Sequence, residues 1–330
     1  MLSYRAILKQ ALRISWKNKL LWFFGFFASL ISFTAEFKII TQSLNRNMGV
    51  SSINNIKTFI NTGIFSKNAW TNIVELIKND PKSILFLIFV LLIIMAVVAF
   101  FAWLSTVSQI SIIDSVNKIM KGKIEKLTIK KSIQTGNKKF WPVFLLNVFI
   151  SLVVWISHLI IGTLLLLAIV KNQALTVLLY GLIFIIFIPL SLFISFVIKY
   201  AIAYSIIEGK KMGQAIKQGW KLFLKNWLIS VEMSIILFFV NIITLILLSI
   251  ISFIGFFLFF GLALSTVFLI PSSIFFWIII ILGGLFLLAV MVLGGALLNV
   301  FQITSWTDLF VQLRGDQNIG KLEKIFQTQK

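Results

Sequence analysis

Residues 208–227 read EGKKMGQAIKQGWKLFLKNW, and this stretch decides how the rest of the chain is read. On a helix, Met212, Ile216, Trp220, Phe223 and Trp227 recur every three or four positions as an apolar stripe. Lys217, Lys221 and Lys225 form a basic stripe beside it. Such a helix suits a membrane interface, with apolar side chains among acyl chains and ammonium groups among anionic headgroups. Lys217, Lys221, Lys225, Trp220 and Phe223 are therefore expected to contact lipid or a partner protein. A long apolar run begins at Trp227.

The composition agrees with a membrane setting. Of 330 residues, 59% are hydrophobic and 12% charged, about half the charged share of a soluble domain. The mean hydropathy is +1.03. Without cysteine there is no disulfide, thiolate nucleophile or cysteine metal site, and the lone His158 excludes a multi-histidine centre. No stretch resembles a phosphate-cradling glycine loop or a nucleophile elbow, so no cofactor is expected. The net charge of +20 does not point to nucleic acid, because the lysines border apolar runs rather than fill one soluble domain.

The fold expected is all-α, a single polytopic membrane domain over 1–330 with six spans in three hairpins. Residues 1–19 place Arg5, Lys9, Arg13 and Lys17 at a spacing of four on a cytoplasmic amphipathic helix. The first span follows at about 20–40; a cleaved signal peptide is the competing reading. Residues 36–82 read as an extracytoplasmic cap, with stripes Ile53, Ile56, Ile60 and Trp70, Ile73, Ile77. Asp80-Pro81 breaks the chain before the second span, about 83–105. A basic segment, 106–141, leads to spans at about 141–170 and 174–198, and 199–226 is the next basic segment. Spans at 227–260 and 272–302 follow, or three shorter ones, and 304–330 reads as a soluble cytoplasmic tail.

Alternate loops carry 23 and 7 of the Lys and Arg residues. The excess marks the cytoplasmic side, so both termini are cytoplasmic, the number of spans is even, and six fits. The expected location is the cell membrane. Seven spans would put the tail outside.

Three segments enter odd-numbered spans alike: Ala11-Leu12-x-x-Ser15-x-Lys17, Ser132-Ile133-x-x-Gly136-x-Lys138 and Ala215-Ile216-x-x-Gly219-x-Lys221. Even-numbered spans are followed by Lys121-Gly122-Lys123, Glu208-Gly209-Lys210 and Arg314-Gly315-Asp316. The unit expected is a basic interfacial helix, an apolar hairpin and a glycine exit, present three times.

Through Trp16-Lys-Asn-Lys-Leu-Leu-Trp22-Phe-Phe-Gly25-Phe and Tyr200-Ala-Ile…Glu208-Gly209-Lys…Ala215-Ile-Lys…Trp220, the chain resembles a broad group of bacterial six-span membrane proteins. The membrane domain joined to some glycerophosphoryl diester phosphodiesterases belongs to that group. The resemblance implies a six-helix membrane domain and no activity, since the phosphodiesterase chemistry would need a separate soluble barrel that these residues do not encode.

Two intramembrane polar residues are candidates for chemistry. Glu232, just past Trp227, is a proton or cation site, or else pairs with a lysine such as Lys199 or Lys225. His158 is a proton relay or, like Asn147, Asn241 and Asn299, a hydrogen-bonding link between helices. Gly283-Gly284 and Gly294-Gly295, three turns apart, are expected to pack against another helix. The function expected is a non-enzymatic membrane protein whose basic helices hold anionic lipid or a partner in envelope organisation. A permease or lipid-handling transporter with a path between hairpins is the alternative.

Overall fold

The computed structural model describes residues 4–29, 81–122, 128–171, 174–269 and 273–315. The described residues are helical throughout, apart from short joints: α1 (Tyr4–Lys17), α2 (Lys19–Ser29), α3 (Pro81–Met120), α4 (Ile129–Lys138), α5 (Phe140–Lys171), α6 (Ala174–Ile207), α7 (Met212–Lys225), α8 (Trp227–Leu269) and α9 (Ser273–Arg314). Four described helices are long and apolar enough to cross a membrane, and α4 with α5, bent by 70°, makes a fifth if counted as one span. The first expected span enters as α2, and its remainder lies outside the described residues, as do 36–80 of the expected cap. Among the described residues, Trp227–Leu269 and Ser273–Arg314 are two helices.

The chain divides into two compact units, Met1–Ser32 with Leu104–Leu146 and Phe196–Lys330, and Phe33–Trp103 with Asn147–Ser195. In the second unit, residues 85–100 of α3 are exposed on every side although almost all are apolar. Water would not tolerate so long an apolar surface, and lipid does.

The first unit holds the ends of the long helices. α3, α8 and α9 have 40, 43 and 42 residues. At 1.5 Å per residue they are about 60–65 Å long, twice a hydrocarbon core of about 30 Å. What lies beyond the apolar part is buried. Residues 105–117 of α3, 196–206 of α6 and 299–310 of α9 are covered on nearly all sides; those of α3 and α9 are rich in Ser, Thr and Asn, while that of α6 is mainly aliphatic and aromatic. This corrects the reading of a soluble tail over 304–314, while 316–330 of that tail lie outside the described residues: α9 runs to Arg314, and Thr304, Ser305, Asp308, Leu309 and Phe310 are among its most buried residues.

Aromatic rings join two of these stretches. Phe196, Tyr200 and Tyr204, one turn apart on α6, meet Trp306 and Phe310, one turn apart on α9. Each ring pair at such spacing adds about 0.5–1.5 kcal/mol beyond the area it buries.

The three basic helices dock by small residues. On α4 the buried positions are Ser132 and Gly136, and a Cβ on Gly136 would lie 2.6 Å from Val107 Cγ1 of α3. The Ser111 hydroxyl lies 3.0 Å from the Ser132 carbonyl across this seam. On α7 the buried positions include Ala215 and Gly219, and a Cβ on Gly219 would meet the Val197 carbonyl oxygen of α6 at 2.8 Å. α1 buries Ile7, Ala11, Ile14 and Ser15 and runs against α9. Ile14 joins Leu21, Phe24, Ala28, Ile112, Val116 and Val300 in one apolar cluster.

Each docking helix ends at a single break, Asn18, Lys139 or Asn226, before the next helix starts. The carbonyls released by such a break need donors. Asn18 Nδ2 reaches the Ile14 carbonyl at 2.8 Å, and Asn226 Nδ2 reaches that of Leu222 at 3.1 Å. The exits from α3 and α6 are Gly122 and Gly209 at φ of 68° and 69°, the left-handed conformation that only glycine adopts cheaply.

The glycine pairs of α9 divide in two. Gly283 and Gly294 face α8, where added Cβ atoms would lie 2.7 Å from Phe259 Cβ and 2.4 Å from Leu248 Cδ2. Gly284 and Gly295 face open space, so the expected packing is restricted to one glycine of each pair.

Gly219→Leu should drive a side chain into the α6 backbone and destabilise the protein by about 1–3 kcal/mol. Gly213→Ala, with open space around it, should shift stability by less than about 0.5 kcal/mol. Thermal unfolding of the two purified variants measures the contrast; equal midpoints would contradict this docking.

Candidate functional site

The residues expected at the interface sit at the joints between docking and spanning helices. Lys217, Lys221 and Lys225 of α7 are exposed, as are Trp220 (48%) and Trp227 (51%). Phe223 is a correction to the expected contact face: it is buried and stacks on Phe196 at 5.8 Å between ring centroids. The small residues of α7 choose the docked face, and Phe223 lies on it, one turn beyond Gly219.

The other two joints look alike. Trp16 is exposed (62%) next in sequence to Lys17, and Trp141 (67%) follows the exposed Lys138 across the break at Lys139. An indole next to ammonium groups at the start of an apolar helix is the side-chain set of a headgroup layer. In such a layer an indole N–H faces polar groups while the ring body stays among acyl chains.

Inside the same unit lies a polar cluster contributed by three helices. The Tyr4 hydroxyl of α1 donates to Glu232 Oε2 of α8. Burial, then the hydrogen bond to Glu232, raises the Tyr4 pKa above its usual 10.0, because a phenolate there would be desolvated beside a carboxylate. The Tyr200 and Ser230 hydroxyls are 2.7 Å apart in the buried interior. Tyr200 is close enough to Tyr4 to act on it electrostatically, so the two tyrosine contacts form one cluster. Glu232 is thus partnered by a phenol from the first helix of the chain, a role that its position in the sequence does not announce.

His158 lies on the α5 backbone, and its side chain falls outside the described residues. Asn299 Nδ2 donates to the Gly25 carbonyl at 2.9 Å, linking α9 to α2. Asn147 and Asn241 are buried. Glu208, at the exit from α6, pairs with Arg314 of α9 at 3.0 Å and with Lys210 at 3.7 Å. Among the described residues no three His, Asp or Glu side chains stand close enough to hold a metal ion.

Tyr4, Tyr200, Ser230 and Asp308 were not visible as site residues. A phenol four residues from the N-terminus gives no periodic signal toward a carboxylate 228 positions away. For Asp308 a signal existed: Trp306, Leu309, Phe310 and Leu313 surround it, and no other charge lies between 304 and 313.

No family model, curated protein or solved structure matches this chain.

Tyr4→Phe removes the donor to Glu232 and should cost about 1.5–3 kcal/mol if the carboxylate is charged. The sign of the pH effect follows from the raised Tyr4 pKa. The phenol's contribution is complete below pH 10.0, the unfolded value, and is lost as pH rises toward the folded value. Unfolding above pH 10 should therefore release one more proton from the wild type than from Tyr4→Phe, measured as the difference in slope of stability against pH.

Proposed function

We propose that the protein is a non-enzymatic integral protein of the cell membrane whose basic helices α1, α4 and α7 form a cytoplasmic collar that holds anionic lipid headgroups. The observation that carries this reading is the exposed tryptophan beside exposed lysine or arginine at all three joints. The lysine and arginine bias between alternate loops supports a cytoplasmic position for the collar and both termini. The gathering of α1, α4 and α7 into one compact unit supports a single-sided location.

We read the three docking helices as copies of one unit. Ala11, Ser132 and Ala215 hold equivalent places in the sequence pattern, as do Ser15, Gly136 and Gly219, and all six are buried. α4 docks on α3, α7 on α6 and α1 on α9, so each unit's basic helix leans on the exit helix of another. On this reading α1 closes the arrangement against α9. Envelope organisation is the role such a collar suits, because it fixes lipid charge without a reacting group.

Each lysine near an anionic surface contributes about 1 kcal/mol of attraction. The full-length protein in neutral detergent should bind a labelled phosphatidylglycerol in preference to phosphatidylcholine, less so at high salt. Changing Lys217, Lys221 and Lys225 together to glutamine should reduce that preference by at least about tenfold. Equal binding of the two lipids by the wild type would contradict the proposal. For topology, a reporter fused after Lys330 should be active in the cytoplasm; activity only outside would remove the cytoplasmic collar.

A further inference from the structure

Asp308 of α9 is fully buried at 0% exposure. Its Oδ1 accepts a hydrogen bond from Gln312 Nε2 at 2.8 Å, and its Oδ2 has no partner among the described residues. One turn earlier, Thr304 and Ser305 are also at 0% exposure, and their hydroxyl oxygens have no partner either. Positions i−4 and i−3 share a helix face with i, so these oxygens lie along one side of a single turn. Thr307, on another side, folds its hydroxyl back on the Ile303 carbonyl at 2.7 Å, the ordinary fate of a helical threonine.

Among the described residues, Ser15 of α1 and Ser108 and Asn117 of α3 also have buried oxygens without a partner. Ser15 of α1 is at 0% exposure and follows Ile14, which packs in one cluster with Val300, a turn before Thr304. Ser108 of α3, also at 0%, lies one turn before Ile112 of the same cluster.

A buried carboxylate without a counter-charge is expensive, and so is each buried oxygen left without a hydrogen bond. Carboxylate and hydroxyl oxygens are hard ligands, suited to alkali and alkaline-earth ions rather than to zinc or copper. A single carboxylate balances a single positive charge, and among the described residues no group of three acids or histidines is present to hold a divalent ion. We propose that Asp308, with the hydroxyls of Thr304 and Ser305, holds a monovalent alkali cation in the seam where α1 docks on α9. The site uses none of the residues of the lipid-binding surface, so either proposal can fail alone.

The test is thermal unfolding of the full-length protein in neutral detergent, with sodium chloride exchanged for N-methylglucamine chloride at constant ionic strength. A cation that binds only the folded state raises the midpoint saturably with its concentration. The wild type should show that rise with sodium, and more sodium should be needed as pH falls, because protons compete for the carboxylate. Asp308→Asn should lose the rise, and Thr304→Val should need roughly tenfold more sodium. If Asp308→Asn does not fold, the wild-type pH competition and the Thr304→Val shift decide. A wild-type midpoint equal in sodium, potassium and N-methylglucamine overturns the proposal and leaves Asp308 as a neutral buried acid. A sodium response retained in full by Asp308→Asn overturns it too, by placing the cation elsewhere.

Discussion

The structure of the first unit depends on how closely two helix backbones can approach at a small residue. Gly136 against Val107 and Gly219 against Val197 and Ala201 leave no room for a Cβ. Close approach matters more here than in a soluble protein, because lipid is as apolar as a leucine side chain. Helices at a membrane then gain little from burying apolar surface against each other, and tight contact with hydrogen bonding must supply the association. The Ser111 hydroxyl reaching the Ser132 carbonyl shows both parts at one seam.

From that constraint follows the distribution of residue types. Leucine, isoleucine and phenylalanine cover the outside of the spans, while serine, threonine and asparagine are concentrated in the buried ends of α3 and α9, and the buried end of α6 is mainly aliphatic and aromatic. Small polar residues allow the backbones to approach, and their hydroxyls bond locally, as Ser111 does to the Val107 carbonyl at 2.7 Å. The basic helices then lie around the buried ends with one face fixed and the other free. Freedom of that outer face is what leaves Trp16, Trp141 and Trp220 beside cationic side chains. The exposed basic and tryptophan surface is thus a consequence of the docking surface: small residues inside decide which side chains remain outside.

Much of this was legible in the sequence. Lysines at a spacing of four marked the exposed side of α7, whereas Ala215 and Gly219 stood out only as part of a repeat, and the structure makes them its docked side. Phe223 misled because it falls near the edge of the apolar stripe, where a helical wheel alone does not say which neighbour it meets; Phe196 on α6 decides that. The buried end of α9 was missed for a different reason. Residues 304–314 carry Asp308 and Arg314, and charge in a terminal segment reads as solvent exposure unless another helix is known to cover it. The α6 rings on Trp306 and Phe310 provide cover there, and α1 also runs against α9. Gly283 and Gly284 were indistinguishable by spacing, since only the position of α8 separates a packed glycine from an open one.

The central claim is that the basic helices cover the ends of the long helices, with α1 closing over α9. Amide hydrogen exchange over residues 300–313 tests it most directly, measured on the full chain and on a chain lacking residues 1–17. The account predicts slow exchange in the full chain, despite the polar composition of this segment, and much faster exchange once α1 is removed. Equal exchange in the two proteins, or rapid exchange of 300–313 in both, would contradict it.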